Sequence, residues 1–236
     1  MQSGLTVELS PNIRMEGRTI GAENTPLLVI DNFVKEPDEL IKWAVTKNFV
    51  PADRFFPGIR AKAPLSYQRF VLDQLHAVLR EFFRLEDKPM GFTMCRYSLV
   101  TTPGEQLVLE QRIPHVDSMD GNRLATIHYL FRQEHGGTAF YRHRRTGFEY
   151  IDRNRQQAYA ASLEAEVQGP QRPPPGYING DTPLFEQVER QDGVFNRILV
   201  YRGNSLHSGS IDGRFVPDPN PLTGRLSINS FIDTGP

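Results

Sequence analysis

The spacing of apolar positions along the chain changes near residue 90, from helical recurrence to short runs broken by turn formers. Leu27–Ile30 is a brief apolar run closed by Asp31 and Asn32, which predicts a strand entering a turn. Pro37 then suits the first turn of a helix, Asp38 and Glu39 suit the positive end of its dipole, and Leu40, Ile41, Ala44 and Val45 form one stripe. That helix is expected to end before Pro51. A second helix is predicted over about Ser66–Arg84, where Phe70, Val71, Leu75, Val78, Leu79, Phe82 and Phe83 recur at helical spacing. Between them, Phe55, Phe56, Pro57, Gly58 and Arg60 combine turn formers with aromatics, the pattern of a loop that folds over a pocket or plugs a core.

From Gly91 onward the pattern predicts strands at Phe92–Val100, Arg123–Phe131, Gly137–Tyr141, Val194–Tyr201 and Leu226–Ile232. Helices first and strands afterwards define an α+β, mainly β protein. One stretch interrupts the β region. Asp152–Val167 is rich in Gln, Ala and Glu and reads as a helix, followed by Gly169-Pro170 and Pro173-Pro174-Pro175. The expectation is a single domain over 1–236: a strand and supporting helices over 1–90, then a β core over 91–236 with an insertion at about 150–185. Such an insertion serves as a lid or substrate wall, or as a passive surface excursion.

Composition narrows the function classes. With 236 residues the chain is long enough to hold a preformed site without disulfides or structural metal. Its 27 basic and 28 acidic residues give a net charge of -1, with no global signature for nucleic acid or an anionic membrane. The run Arg142-His143-Arg144-Arg145 is a local basic cluster that offers a contact point, with a solvated loop face as the favoured reading. Cys95 is the one cysteine, so no intrachain disulfide forms. The start, Met1-Gln2-Ser3-Gly4-Leu5-Thr6, lacks a basic region followed by an apolar run, and no later stretch is apolar enough to span a bilayer, so a cytoplasmic protein is expected.

Candidate chemistry begins with His115-Val116-Asp117. On a strand, residues two apart share a face at about 6.6 Å, close enough for an imidazole and a carboxylate to converge on one ion. His207, in Asn204-Ser205-Leu206-His207-Ser208-Gly209, is the best third ligand; His135 is its rival, and His76, His128 and His143 read as structural or surface residues. Two histidines and a carboxylate on one side of iron(II) leave open positions for a cosubstrate and dioxygen, whereas a structural zinc site is closed by four ligands. Eighteen residues beyond His207, Arg225 and Ser227 share one face of a predicted strand. An Arg inside a β core calls for an anion, which its planar guanidinium grips with two prongs; the alternative is an exposed Arg on an edge strand. Arg214 competes for the anion role from a turn-like setting among Pro217, Pro219 and Pro221.

The ordered set His115-Val116-Asp117, Gly136-Gly137, Leu206-His207-Ser208-Gly209 and Arg225-Leu226-Ser227 resembles the 2-oxoglutarate/iron(II) dioxygenase superfamily, especially its prolyl-4-hydroxylase-like branch, over about residues 91–232. The resemblance implies a double-stranded β-helix, a distorted, cupin-like jelly roll with amino-terminal helices packed on it. It implies iron on His115, Asp117 and His207, with Arg225 on the distal carboxylate of 2-oxoglutarate. Tyr129 matches a position where relatives place a tyrosine against that carboxylate, a buried core tyrosine being the alternative, and Ser227 adds a hydroxyl. The interval from His207 to Arg225 is longer than the branch usually has.

The implied activity consumes 2-oxoglutarate and O2, with ascorbate supportive, and releases succinate and CO2 while hydroxylating a C–H bond of an amino-acid, peptidyl or small-molecule substrate. The carboxylate of Asp117 stands where halogenating members carry a small residue. A non-catalytic jelly-roll module that binds metal for sensing, and a cupin-type zinc or manganese enzyme, are the rival readings.

Overall fold

The computed structural model describes residues 5–235, so the Met1–Gly4 part of the amino-terminal reading lies outside the described residues. Strands β1 (Arg14–Ile20) and β2 (Thr25–Asp31) form a hairpin. Helices α1 (Pro37–Val45) and α2 (Leu65–Phe82) enclose the short strands β3 (Val50–Pro51) and β4 (Gly58–Lys62). Strands β5 (Met90–Val100), β6 (Leu124–Tyr129) and β7 (Gly137–His143) follow, then helix α3 (Gln156–Val167). The chain ends with β8 (Phe185–Asp192), β9 (Ile198–Arg202), β10 (His207–Ser210) and β11 (Leu226–Thr234). The named pairings are antiparallel and build an eight-stranded sheet, β1-β2-β9-β6-β11-β5-β4-β3, and a three-stranded sheet, β10-β7-β8.

Strand alternation sorts the side chains of the large sheet. Tyr97, Leu99, Ile198, Val200, Leu226 and Ile228 face the helices and share one core with Leu40, Phe70, Leu75 and Leu79. Truncating a fully buried residue of this layer, such as Leu75→Ala, costs about 2–5 kcal/mol through lost transfer energy and the cavity left behind. His128 lies on this side, as its alternation with Tyr129 predicts. Its Nε2–H donates to Asn196 Oδ1 at 3.1 Å, whose amide nitrogen is committed to the Val34 carbonyl, and its Nδ1 accepts from the Tyr67 hydroxyl at 3.0 Å. Burial pushes the His128 pKa down to about 4, so the ring is a neutral core group.

The opposite face of the large sheet, with Ala125, Ile127, Tyr129, Leu199 and Tyr201, packs against Phe140 of the small sheet. The far side of the small sheet, with Ala139, Tyr141 and Phe185, is covered by Ile178 and Leu184 and by Tyr159, Leu163 and Val167 of α3. The 150–185 segment is thus an excursion between β7 and β8 that returns to cover the small sheet. No helix among the described residues is long and apolar enough to cross a membrane.

Two elements and one charged run differ from the readings made of them. The strand expected from Val194 begins only at Ile198, because the chain turns at Asn196, whose φ is 62°. Gly58–Lys62, expected as loop, pairs with β5 as β4, so only residues 52–57 remain irregular between β3 and β4. The basic run is not simply solvated: His143 is buried, Arg142 bridges Glu149 and Glu186, and Arg144 pairs with Asp181.

Candidate metal centre

His115 occupies a single β-bridge with His207, each backbone N–H donating to the other's carbonyl, at 2.9 and 3.0 Å. Two residues on, the Asp117 N–H donates to the Gly203 carbonyl at 2.7 Å. The segment is therefore extended without belonging to a regular strand, and both side chains emerge on one side. Asp117 Oδ1 lies 3.8 Å from His115 Nε2, and Oδ2 lies 3.4 Å from His207 Nε2. The three donor atoms fall within 4.8 Å of one another, close enough to hold one ion.

Protonation fits a ligand role. His207 Nδ1–H donates to the Ser205 carbonyl at 2.9 Å, which fixes the tautomer and leaves the Nε2 lone pair free. Its ring is wedged against Tyr201, centroids 4.7 Å apart, and Phe140. Side-chain exposure is 7% for His207, 14% for Asp117 and 48% for His115, and all three line one cavity. Burial, and then the neighbouring His207, push the His115 pKa down to about 4 against the opposing pull of Asp117. Two imidazole nitrogens beside one carboxylate form an N2O set suited to a divalent transition metal.

Arg225 is 4% exposed and lines the same cavity. Its Nε and Nη2 donate to the carbonyls of His135 and Gly137, at 2.9 and 2.7 Å, and no carboxylate of the described residues pairs with it. Burial lowers its pKa, with Tyr129 and Tyr177 opposing. The Gly136-Gly137 turn delivers those carbonyls. Gly136 has φ +76°, and a Cβ there would collide with the Ser210 carbonyl, so glycine is required. A buried cation held by neutral acceptors alone keeps its attraction for an incoming anion.

The other expected residues separate. Tyr129 is fully buried, its hydroxyl 2.7 Å from Thr138 Oγ1, and Thr138 lines the cavity. Ser227 shares the Arg225 face, but its hydroxyl donates to Asn229 Oδ1 at 2.6 Å, and Asn229, not Ser227, lines the cavity. Arg214 is exposed and paired with Asp212 at 2.8 Å, which leaves Arg225 as the inward-facing arginine of the two. His135 sits outside the cluster, its Nε2 donating to the Thr223 carbonyl at 3.0 Å.

The cavity measures about 580 Å³. Beyond the cluster and Arg225 its walls include Phe55, Phe56 and Arg60 from the 53–60 segment, Met94 and Phe231 from the large sheet, Tyr159 and Leu163 of α3, and Tyr177. The Tyr177 hydroxyl donates to the Thr102 carbonyl at 2.6 Å and ties the insertion across the site. The sequence pattern did not single out Thr138, Asn229 or Tyr201, of which Asn229 carried a usable signal, standing on the Arg225 face at i+4; Arg60 lies in the segment expected to fold over a pocket.

The fold is shared with solved structures. The chain matches HygX from Streptomyces hygroscopicus, in a structure with nickel, 2-oxoglutarate and hygromycin B bound, with a TM-score of 0.50 and 14% identity over 90% of this chain and 84% of that one. A Pseudomonas putida prolyl-4-hydroxylase matches with a TM-score of 0.40 and 13% identity over 94% and 93% of the two chains. EctD from S. alaskensis, with 2-oxoglutarate and 5-hydroxyectoine, matches with a TM-score of 0.44 and 13% identity over 98% and 87%. The likeness to HygX shows a shared, mainly β fold. By sequence the chain belongs to the family described as "Family of unknown function (DUF6445)", which matches residues 11–232. A comparison with curated proteins finds no match.

Proposed function

We propose that this protein is an iron(II)- and 2-oxoglutarate-dependent dioxygenase that hydroxylates an unactivated C–H bond of an amino-acid, peptidyl or small-molecule substrate, with release of succinate and CO2. The observation that carries the reading is the convergence of His115, Asp117 and His207 on the wall of a cavity that also holds a buried Arg225 without a carboxylate partner. We read residues 1–236 as one domain whose two sheets are the halves of a double-stranded β-helix.

His115, Asp117 and His207 would hold the metal, and Arg225 would hold the distal carboxylate of 2-oxoglutarate. The bound metal and cosubstrate supply the oxidising chemistry, drawing on O2, with ascorbate as a supporting reductant. The chain positions and shields. The Ser205 carbonyl fixes the ring of His207, Tyr129 steadies the Arg225 side of the cavity through Thr138, and Phe56, Tyr159, Leu163 and Tyr177 form an apolar surround that excludes water. Asp117 keeps a carboxylate in the donor set, which favours hydroxylation, or demethylation through it, over halogenation.

Succinate formation from 2-oxoglutarate under iron(II), O2 and ascorbate tests the proposal, because enzymes of this kind turn the cosubstrate over slowly without substrate. The expected result is measurable succinate that disappears in His115→Ala. A protein that binds metal but forms no succinate above the variant's background is a binding or sensing module instead.

A further inference from the structure

Arg60 is a second cation in the cavity that the proposed centre does not use. It lies on β4 opposite Ser98 of β5, which stands opposite Ser227 of β11, which in turn stands opposite Tyr129 of β6. Arg60 therefore belongs to the face that carries Arg225 and Tyr129. Strands β4 and β11 are two spacings apart, roughly 10 Å, so the two guanidiniums make separate posts.

Its local contacts leave it undersatisfied. Of five guanidinium N–H groups, Nε–H donates to Ser98 Oγ at a long 3.3 Å, and the nearest carboxylate among the described residues, Asp53, is 3.8 Å from Nη1. Asp53 Oδ1 accepts from the N–H groups of Phe55 and Phe56, at 3.0 and 3.3 Å, and caps the turn, while Oδ2 faces Arg60 beyond hydrogen-bond distance from a side chain that is itself 61% exposed, a weak and solvent-screened partner. The guanidinium lies over the Phe56 ring, 4.1 Å from its centroid, which orients the plane without neutralising the charge. The side chain is only 21% exposed, and its charge reaches both His115 and Asp117.

We propose that Arg60 anchors a carboxylate on the substrate, and that the substrate class is organic acids whose apolar body fills the aromatic surround. The proposal rests on the reading of the centre given above and adds what that reading lacks, the chemical class of the guest. The acid group is held at the β4 edge of the cavity while the body extends towards the His115–Asp117–His207 cluster. A free acid of amino-acid size and the carboxy-terminus of a peptide present the same group.

The test is binding, read by calorimetry on full-length protein loaded with nickel and saturated with 2-oxoglutarate, so that no turnover intervenes and Arg225 is occupied. The probes are N-acetyl-phenylalanine and N-acetyl-leucine, a pentapeptide ending in phenylalanine with a free carboxylate, and the amide of each. At least one acid is expected to bind ten times more tightly than its amide. Arg60→Gln should erase that ratio while 2-oxoglutarate affinity stays within twofold, and Arg60→Lys should restore part of it. Binding by the small acids alone, or by the peptide as well, distinguishes the two sources. Acids that bind no better than their amides in the native protein, or a ratio that survives Arg60→Gln, overturn the assignment. Failure of the underlying reading looks different: 2-oxoglutarate itself does not bind the native protein before any probe is added.

Discussion

Asp117 Oδ2 and His207 Nε2 lie 3.4 Å apart, too long for an ordinary hydrogen bond and close enough to share an ion. A divalent metal that binds this pair and His115 binds the folded state only, so it stabilises by about 2.7 kcal/mol at a hundredfold excess over Kd. For a chain of this length that corresponds to a rise in Tm of roughly 5–10 °C. Nickel titrated against the metal-free protein in a calorimetric scan should give that rise, and EDTA should reverse it. Asp117→Ala should abolish it; a full shift in the variant places the metal elsewhere.

Removing Arg225 deletes the charge proposed to meet 2-oxoglutarate. Breaking a buried, hydrogen-bonded charge pair costs about 2 kcal/mol or more, about thirtyfold in affinity. Arg225→Ala should therefore raise the 2-oxoglutarate Kd at least thirtyfold. Arg225→Lys should recover little of it, since an ammonium cannot reproduce a two-pronged grip. Equal Kd values in native and Ala proteins remove Arg225 from the cosubstrate site.

Tyr129→Phe separates a core tyrosine from a ligand tyrosine. Loss of the hydroxyl contact to Thr138 should lower the unfolding free energy by about 0.5–1.5 kcal/mol in either case. A role towards the cosubstrate should add a rise of roughly fivefold in the 2-oxoglutarate Kd, the equivalent of about 1 kcal/mol. Denaturant melts and cosubstrate titrations on the same variant read the two effects apart.

The docking of α3 carries its own pH dependence. His143 is buried under the helix, its ring between Tyr159 and Phe185, with Nε2 2.8 Å from Glu166 Oε2 and Nδ1 2.9 Å from Thr146 Oγ1. Burial lowers its pKa, more than Glu166 raises it. A depressed folded-state value means that the contribution is present above the unfolded pKa, about 6.5, and is lost as pH falls. The stability difference between the native protein and His143→Gln should shrink between pH 8 and pH 5.5, as followed by urea melts. A difference that grows on acidification contradicts this sign.

What the sequence disclosed depends on how each element is held. Helices α1 and α2, and strands β5, β6, β7 and β11, bury one face against a core, so their periodicity is written in apolar residues. Strand β1 is a largely exposed edge, and β8 is rich in Glu, Gln and Arg, so neither has such a rhythm. Strand β10 is His-Ser-Gly-Ser and is defined by its partner β7 alone. The cluster follows the same division. His115 and Asp117 announced themselves by spacing, and His207 and Arg225 by order along the chain. Arg60 lies in the segment expected to fold over a pocket, and Tyr159 and Tyr177 lie in the insertion expected as a lid, wall or surface excursion; which of their side chains reach the cavity is set by tertiary packing.

All three candidate ligands and both inward-facing arginines lie outside the stretch between β7 and β8, whereas α3 and Tyr177 lie within it. One wall of the cavity is therefore carried by a length of chain separate from the one that carries the candidate ligands and both arginines. Exchanging that one stretch would recast that wall while leaving the His115–Asp117–His207 cluster and both arginines in place.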